Sequence, residues 1–218
     1  MKVSKSFIIA IAVLVILLFA VSAFFYPQLP DKLASHWNAA GQADGYSSKF
    51  WGLFLLPIIS VAFTVLLVII PRLDPLKANV EKFKGYYYGF IIVFLLFFLY
   101  LHVLTIVFNL GYTLNMTLFL IPAFAVMFYF MGMMISKAKR NYFIGIRTPW
   151  TLASDTVWDK THALGGKLFK IAALISLIGM LFGDLAIWFM LAPVMLASIV
   201  TIVYSYVVFR KEAKPGAV

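Results

Sequence analysis

The chain has 218 residues, of which 64% are hydrophobic and 12% are charged. About a quarter of the residues of a typical soluble domain are charged, so this composition excludes an ordinary soluble protein. The formal net charge of +10 at pH 7 fits basic loops beside a membrane better than nucleic-acid binding. The absence of cysteine excludes disulfides, thiolate metal sites and cysteine nucleophiles.

Several hydrophobic runs reach the roughly 20 residues that cross a bilayer core of about 30 Å. The last of these runs is divided at Gly183-Asp184, because glycine and aspartate together favour a turn. The sequence therefore predicts six spans, at 6–26, 50–70, 87–109, 116–136, 168–182 and 185–209. The first span is too long for the apolar core of a signal peptide and is expected to be retained.

The predicted fold class is an all-α polytopic membrane protein. We divide it into an amino-terminal hairpin (1–71), a middle hairpin (72–136) and a carboxy-terminal part (137–218). Sixteen lysines and arginines fall on the side of the termini and two on the other, so the positive-inside rule predicts cytoplasmic termini. The outer loop (27–50) then faces outside, and the inner loop (137–167) lies in the cytoplasm.

The outer loop combines turn residues with polar and aromatic side chains. Turns are predicted at 29–31, at 38–41 and at Asp44-Gly45, with a short extended segment at 35–38. This content predicts an ordered lid over the helix ends. The candidate ligand contacts in the lid are His36, Trp37, Asn38, Asp44 and Tyr46.

A metal site in the outer loop is weakly indicated. His36, Asp31 and Asp44 stand at irregular spacing, unlike a histidine-pair motif. A hydrogen bond from His36 within the loop is favoured instead, and no metal or other cofactor is predicted.

The inner loop is the longest polar segment and is expected to form a structured module. Gly145 permits a tight bend, and Thr148 before proline is restricted to an extended conformation. Ser154 is predicted to cap a short amphipathic helix at 155–164, which lies at the membrane interface and ends at Gly165-Gly166.

Five side chains of the inner loop are candidates for partner or ligand contact. They are Asn141, Arg147, Trp150, Trp158 and His162. Both indoles are expected at the headgroup boundary. Three partners are open to Arg147: an ion pair with Asp155 or Asp159, a lipid phosphate, or an acidic protein. The basic cluster of Lys137, Lys139, Arg140 and Arg147 is of the kind that attracts anionic headgroups.

Two polar residues lie in the third predicted span, His102 and Asn109. An ionisable residue at membrane depth is a functional hypothesis by default, and His102 is expected to pair with a nearby hydroxyl or carbonyl. One histidine does not make a proton relay. Asp184 is expected in the outer turn, in water.

Two stretches resemble a known family. The outer-loop run of Leu29-Pro30-Asp31, 36–41 and 44–46 resembles the amino-terminal domain of unknown function of SdpI-like proteins. The segment 141–152, with the later Trp158, His162 and Gly165-Gly166, resembles their SdpI domain. The resemblance implies a multi-pass membrane protein of bacteria and archaea. Its best-known member gives immunity to a secreted killing peptide and retains a cognate repressor at the membrane.

The leading hypothesis is a non-enzymatic immunity or sensor protein of the cell membrane. In it the outer loop meets a peptide or a lipid-borne ligand, and the inner loop reports to a cytoplasmic regulator or to lipid. The alternative is a small transporter or channel that uses His102, which a polar cavity reaching this residue would favour. A lipid-acting enzyme is disfavoured, because no paired carboxylates or activated nucleophile appear within one leaflet. The oligomeric state is left open.

Overall fold

The computed structural model describes residues 3–212, which are mostly helical and contain one β-hairpin. The helices are α1 (Lys5–Phe25), α2 (Lys49–Leu73), α3 (Lys77–Glu81), α4 (Lys84–Asn109), α5 (Met116–Lys137), α6 (Pro149–Ala153), α7 (Asp155–Gly179) and α8 (Ala186–Glu212). The strands are β1 (Lys32–Trp37) and β2 (Ala43–Ser48). Short 3₁₀ helices lie at Tyr26–Gln28 and Met180–Leu185.

Five helical segments of the described chain are long and apolar enough to cross a membrane, so the protein is polytopic. Their bounds are Lys5–Gln28, Lys49–Leu73, Lys84–Asn109, Met116–Lys137 and Asp155–Glu212. The last has 58 residues, which at about 1.5 Å per residue is far longer than one crossing. It is interrupted where Gly183 takes a φ of 54°, a conformation that favours glycine. The predicted break at this glycine is present, while six crossings and cytoplasmic termini remain predictions.

The helices pack in two groups of three. Helices α1, α2 and α4 form one group, and α5, α7 and α8 form the other, with α4 and α5 in contact between them. The largest buried cluster lies at the inner-loop end of this contact, where Tyr87 and Ile91 of α4 belong to one core with Met134 of α5 and Trp158 of α7. The inner loop is therefore part of the core.

Two prolines in α2 explain how the first group is held together. Proline lacks an N–H, so Pro57 and Pro71 leave the carbonyls four residues earlier without helical partners. The hydroxyl of Ser22 on α1 donates to Leu53 O at 2.8 Å, and the hydroxyl of Tyr87 on α4 donates to Leu67 O at 2.7 Å. Each neighbouring helix thus satisfies one carbonyl of α2.

The outer loop corrects the all-α expectation, because β1 and β2 pair as an antiparallel hairpin. The predicted turn at 38–41 is present: Asn38 Oδ1 accepts the N–H groups of Ala40 and Gln42, each at 3.0 Å. The turn predicted at Asp44-Gly45 is wrong, because both residues lie in β2. The cap at Asn38 closes the loop earlier and leaves the second glycine free to pair in the strand.

The helix predicted at 155–164 is longer than expected. Ser154 does cap it, with its hydroxyl accepting the Val157 N–H at 3.3 Å. However, α7 continues through Gly165-Gly166 to Gly179, so the predicted stop is wrong. Both glycines are buried, and they serve helix packing rather than termination. The segment is therefore part of a long packed helix and not a separate interfacial one.

Candidate functional site

The hairpin is fixed to the end of α4 by Asn109. Its side-chain oxygen accepts the Ala34 N–H at 2.7 Å, and its nitrogen donates to the Ala34 carbonyl at 3.0 Å. Leu33 is 1% exposed and packs in one cluster with Leu53 and Ile106. Asn109 therefore positions the outer loop, and the lid over the helix ends is ordered.

Three of the five outer candidates have side chains on the hairpin surface. The expected hydrogen bond of His36 within the loop is made to Asp44, with Nδ1 and Oδ1 2.5 Å apart. The two side chains are 72% and 44% exposed, so water screens the pair and its contribution to stability is small. Tyr46, on the same strand as Asp44, is 65% exposed.

A cleft of about 490 Å³ lies between the hairpin and the ends of α5 and α8. We call it the outer cleft. Its helical wall is mostly apolar and its hairpin rim is polar. The helices contribute Thr117, Leu120, Phe124, Ile187 and Met190, and the rim contributes residues 35–39. The structure thus brings His36, Trp37 and Asn38 together at one opening, while Asp44 and Tyr46 do not line it.

His102 is fully buried at the contact of α1, α2 and α4. Its Nε2 lies 2.8 Å from the Ser22 hydroxyl, which agrees with the expected pairing. Since that hydroxyl donates to Leu53 O, the ring nitrogen is assigned as the donor to Ser22 Oγ. The side chain has no exposed surface, and this closed packing favours a structural role over a transport path.

The inner loop is held by two buried polar residues. Asn141 donates to the Lys139 and Ile144 carbonyls at 2.8 and 2.9 Å and accepts the Ile144 N–H at 2.6 Å. The carboxylate of Asp74, which is 2% exposed, accepts the N–H of Tyr142 at 2.9 Å. Asn141 therefore shapes the loop, and Asp74 ties it to the end of α2.

Trp158 and His162 stack inside the protein, with ring centroids 3.9 Å apart. The indole N–H of Trp158 donates to the Ala138 carbonyl at 2.9 Å. Trp158 is 0% exposed, so its expected place at the headgroup boundary is wrong. The hydrogen bond to the end of α5 makes burial of this indole favourable.

The imidazole of His162 closes the bend at Gly145. The Ile146 N–H donates to Nε2 at 3.0 Å, so Nδ1 carries the proton and donates to Trp158 O at 2.8 Å. Gly145 has a φ of 114°, and a Cβ there would lie 2.4 Å from Nε2. The predicted tight bend is present, and only glycine allows the imidazole this close.

The expected ion pair of Arg147 with Asp155 or Asp159 is wrong. Asp155 pairs with Arg140 at 2.7 Å, and Asp159 pairs with Lys139 at 3.1 Å. Arg147 is exposed and donates to the Tyr142 carbonyl at 2.8 Å. The guanidinium of Arg147 binds within its own loop, while Lys139 and Arg140, which precede it in the chain, contact the two carboxylates.

A second cleft, of about 550 Å³, opens beside Arg147 between α5, α7 and α8. We call it the inner cleft. Trp150 lines its rim and lies half-buried against Tyr206 of α8, with ring centroids 5.0 Å apart. Arg147 and Trp150 thus share one opening, away from the buried Trp158 and His162.

Several residues that hold the inner loop were missed from the sequence. Thr148 and Thr151 form a reciprocal capping box at the start of α6, and the Thr148 hydroxyl lies 3.0 Å from that of Ser205. Asn79 donates to the Arg140 carbonyl at 2.8 Å. The Thr-Pro step marks such a cap, but the distant partners leave no mark in the local sequence.

Metal ligands are sparse in the described part of the chain. Within residues 3–212 no three histidine or acidic side chains converge on one point. The expectation of no metal stays a prediction.

Comparison with known proteins gives two family matches, one that includes the inner loop and one that includes the outer loop. Residues 137–205 match the SdpI/YfhL protein family, and residues 13–61 match the Domain of unknown function (DUF1648). Immunity protein SdpI of Bacillus subtilis (strain 168) is 25% identical over 200 residues, which cover 91% of this chain and 94% of that protein. No solved structure matches. The resemblance stated from the sequence motifs is confirmed.

Proposed function

We propose that this chain, which belongs to the SdpI family, is a membrane immunity protein that protects its cell from a secreted antimicrobial peptide. The supporting observation is its similarity to Immunity protein SdpI along 91% of its length. The proposed role is to bind this peptide rather than to catalyse a reaction, in the membrane of the cell that the protein protects.

The outer cleft is the proposed contact for the peptide. Leu120, Phe124 and Met190 give it an apolar wall, and His36 with the turn at Asn38 gives it a polar rim. An apolar side chain of a peptide gains by leaving water for such a wall, while His36, which pairs with Asp44 through Nδ1, still offers Nε2 to the peptide backbone. The opening lies on the predicted outer side, where a secreted peptide arrives first.

A relay to a cytoplasmic regulator is the second part of the proposal. The supporting contacts connect both ends of α4. Asn109 holds the hairpin at one end, and Tyr87 at the other belongs to the cluster that contains Trp158 of the inner loop module. Movement of the hairpin on peptide binding would therefore reach the inner loop through one rigid helix.

The test uses a Bacillus subtilis strain that lacks its own SdpI and is grown with wild-type cells as the source of peptide. Expression of this chain should restore survival. Leu120→Trp fills the outer cleft and should remove protection, whereas Lys32→Ala, an exposed change on β1 outside the cleft, should keep it. Membrane levels of all three proteins are measured by immunoblot. Full sensitivity of cells with normal levels of the unaltered chain would contradict the immunity role.

A further inference from the structure

The inner cleft combines a long apolar wall with an exposed cation at one end. Met131 and Ile135 of α5, Phe169 of α7 and Ile202 of α8 line the wall. The guanidinium of Arg147 stands at the end formed by the inner loop. A binding surface with this division suits a molecule that is itself divided into a charged head and an apolar tail.

Arg147 has donors to spare for such a head. A guanidinium carries five N–H groups, and within residues 3–212 the Arg147 side chain makes one hydrogen bond, from Nη1 to the Tyr142 carbonyl. The acidic side chains of the same loop, Asp155 and Asp159, are paired with Arg140 and Lys139. The cleft end is therefore positive, and an anion complements it.

Trp150 indicates the depth at which the head lies. Its indole is half-exposed at the rim of the cleft beside Arg147. Tryptophan is enriched where the membrane meets water, at the level of the headgroups. A phosphate at this level reaches Arg147 while the attached chains run down the wall towards the middle of the bilayer.

We propose that the inner cleft binds one anionic phospholipid. Its phosphate is held by the free N–H groups of Arg147, and one acyl chain lies along Met131, Phe169 and Ile202. The arginine fork recognises phosphate by paired charge-assisted hydrogen bonds. This proposal does not depend on the immunity function, because it concerns a different cleft and a constituent of every bacterial membrane.

Native mass spectrometry of the purified full chain tests the proposal. The probes are dioleoylphosphatidylglycerol and dioleoylphosphatidylcholine, which share their acyl chains and differ in net charge. We expect the anionic lipid to be retained at lower concentration. Arg147→Gln should weaken its binding about tenfold, which corresponds to about 1.4 kcal/mol, because the charged hydrogen bonds to the phosphate are lost. Lys77→Gln removes an exposed charge on α3, outside the cleft, and should change binding less than twofold.

A second variant tests the contribution of the cleft's shape separately from that of the Arg147 charge. Ser198 lines the cleft on α8, and Ser198→Leu narrows the cleft without altering any charge, so binding of both lipids should fall. Thermal unfolding of each variant in detergent shows whether it is folded. If Arg147→Gln does not fold, Arg147→Lys keeps the charge but loses the fork and should give intermediate affinity.

Four results would overturn the proposal. The first is equal retention of both lipids by the unaltered chain, and the second is unchanged binding in Arg147→Gln. The third is full displacement of the lipid by glycerol 3-phosphate, which would assign the site to a soluble phosphate. The fourth is a dimer that forms without lipid and is broken by Ser198→Leu, which would assign the cleft to a second copy of the chain.

Discussion

A side-chain carbon on Gly132 would lie 2.8 Å from the carbonyl oxygen of Gly166, and one on Gly166 would lie 2.6 Å from that of Gly132. The backbones of α5 and α7 therefore meet directly. Small residues allow such close crossings between helices in a membrane. This crossing sets how closely α7 approaches α5. It thereby positions Trp158, which lies on α7 before Gly166 and bonds to the end of α5.

Gly166→Ala is expected to separate α5 from α7 and to destabilise the protein by about 1–3 kcal/mol, as overpacking does in other cores. The atom that the new methyl group would meet is the backbone oxygen of Gly132, which can move only if α5 itself shifts. Gly85→Ala is the matched control, because its Cβ meets nothing within 4 Å. Thermal unfolding in detergent measures both variants, and equal midpoints would contradict the tight crossing.

A double-mutant cycle tests the proline-freed carbonyl in α2. Ser22→Ala removes the donor to Leu53 O and the acceptor of the His102 N–H, and should cost about 1–3 kcal/mol because buried polar groups are left unsatisfied. Pro57→Ala restores an N–H four residues after Leu53, so the loss from Ser22→Ala should shrink in that background. Additive losses in the unfolding free energy would mean that Ser22 acts in some other way.

Asp74→Asn is expected to loosen the inner loop. The carboxylate accepts N–H groups from both Leu76 and Tyr142, whereas an amide has one oxygen and turns its NH₂ towards one of these donors. Amide hydrogen exchange at 141–146 should accelerate. Asp184→Asn, an exposed change in the turn before α8, is the control, and equal exchange in the two variants would count against this tie.

Cysteine labelling tests the predicted orientation, since the chain has no cysteine of its own. Ser48 on the hairpin and Ala153 in the inner loop are both exposed. Ser48→Cys should react with an impermeant maleimide on intact cells, and Ala153→Cys only after the membrane is opened. Reaction of Ala153→Cys with the maleimide in intact cells would contradict the predicted orientation.

Hydrophobic runs and turn residues were enough to predict the main spans, the bend at Gly145 and the cap at Ser154. These features depend on residues close together in the chain, and their signals are local. The hairpin was harder to predict, because Asp44-Gly45 has the composition of a turn although it lies in β2. The hydrogen bonds of Asn38 place the turn at 38–41 instead.

Long-range partners account for most of the remaining errors. Trp158 was expected at the interface because its acceptor, the Ala138 carbonyl, lies 20 residues away and has no sequence signature. The sequence predicts an ion pair of Arg147 with Asp155 or Asp159 because these residues are near in the chain, but Arg140 and Lys139 bind the two carboxylates. The sequence predicts Asn109 only as a polar residue within a span, since nothing local shows that Ala34 is its partner.

The two prolines of α2 also bear on the order in which the chain is assembled. Chains are made from the amino end, and α2 enters the bilayer with two oxygens that its own helix leaves bare. Ser22 has already been synthesised by then and can cover Leu53 O as soon as α1 and α2 meet. Leu67 O has to wait for Tyr87. The first three-helix group is therefore complete only when α4 has been inserted, and a chain that stops before Tyr87 lacks the donor that pairs with Leu67 O.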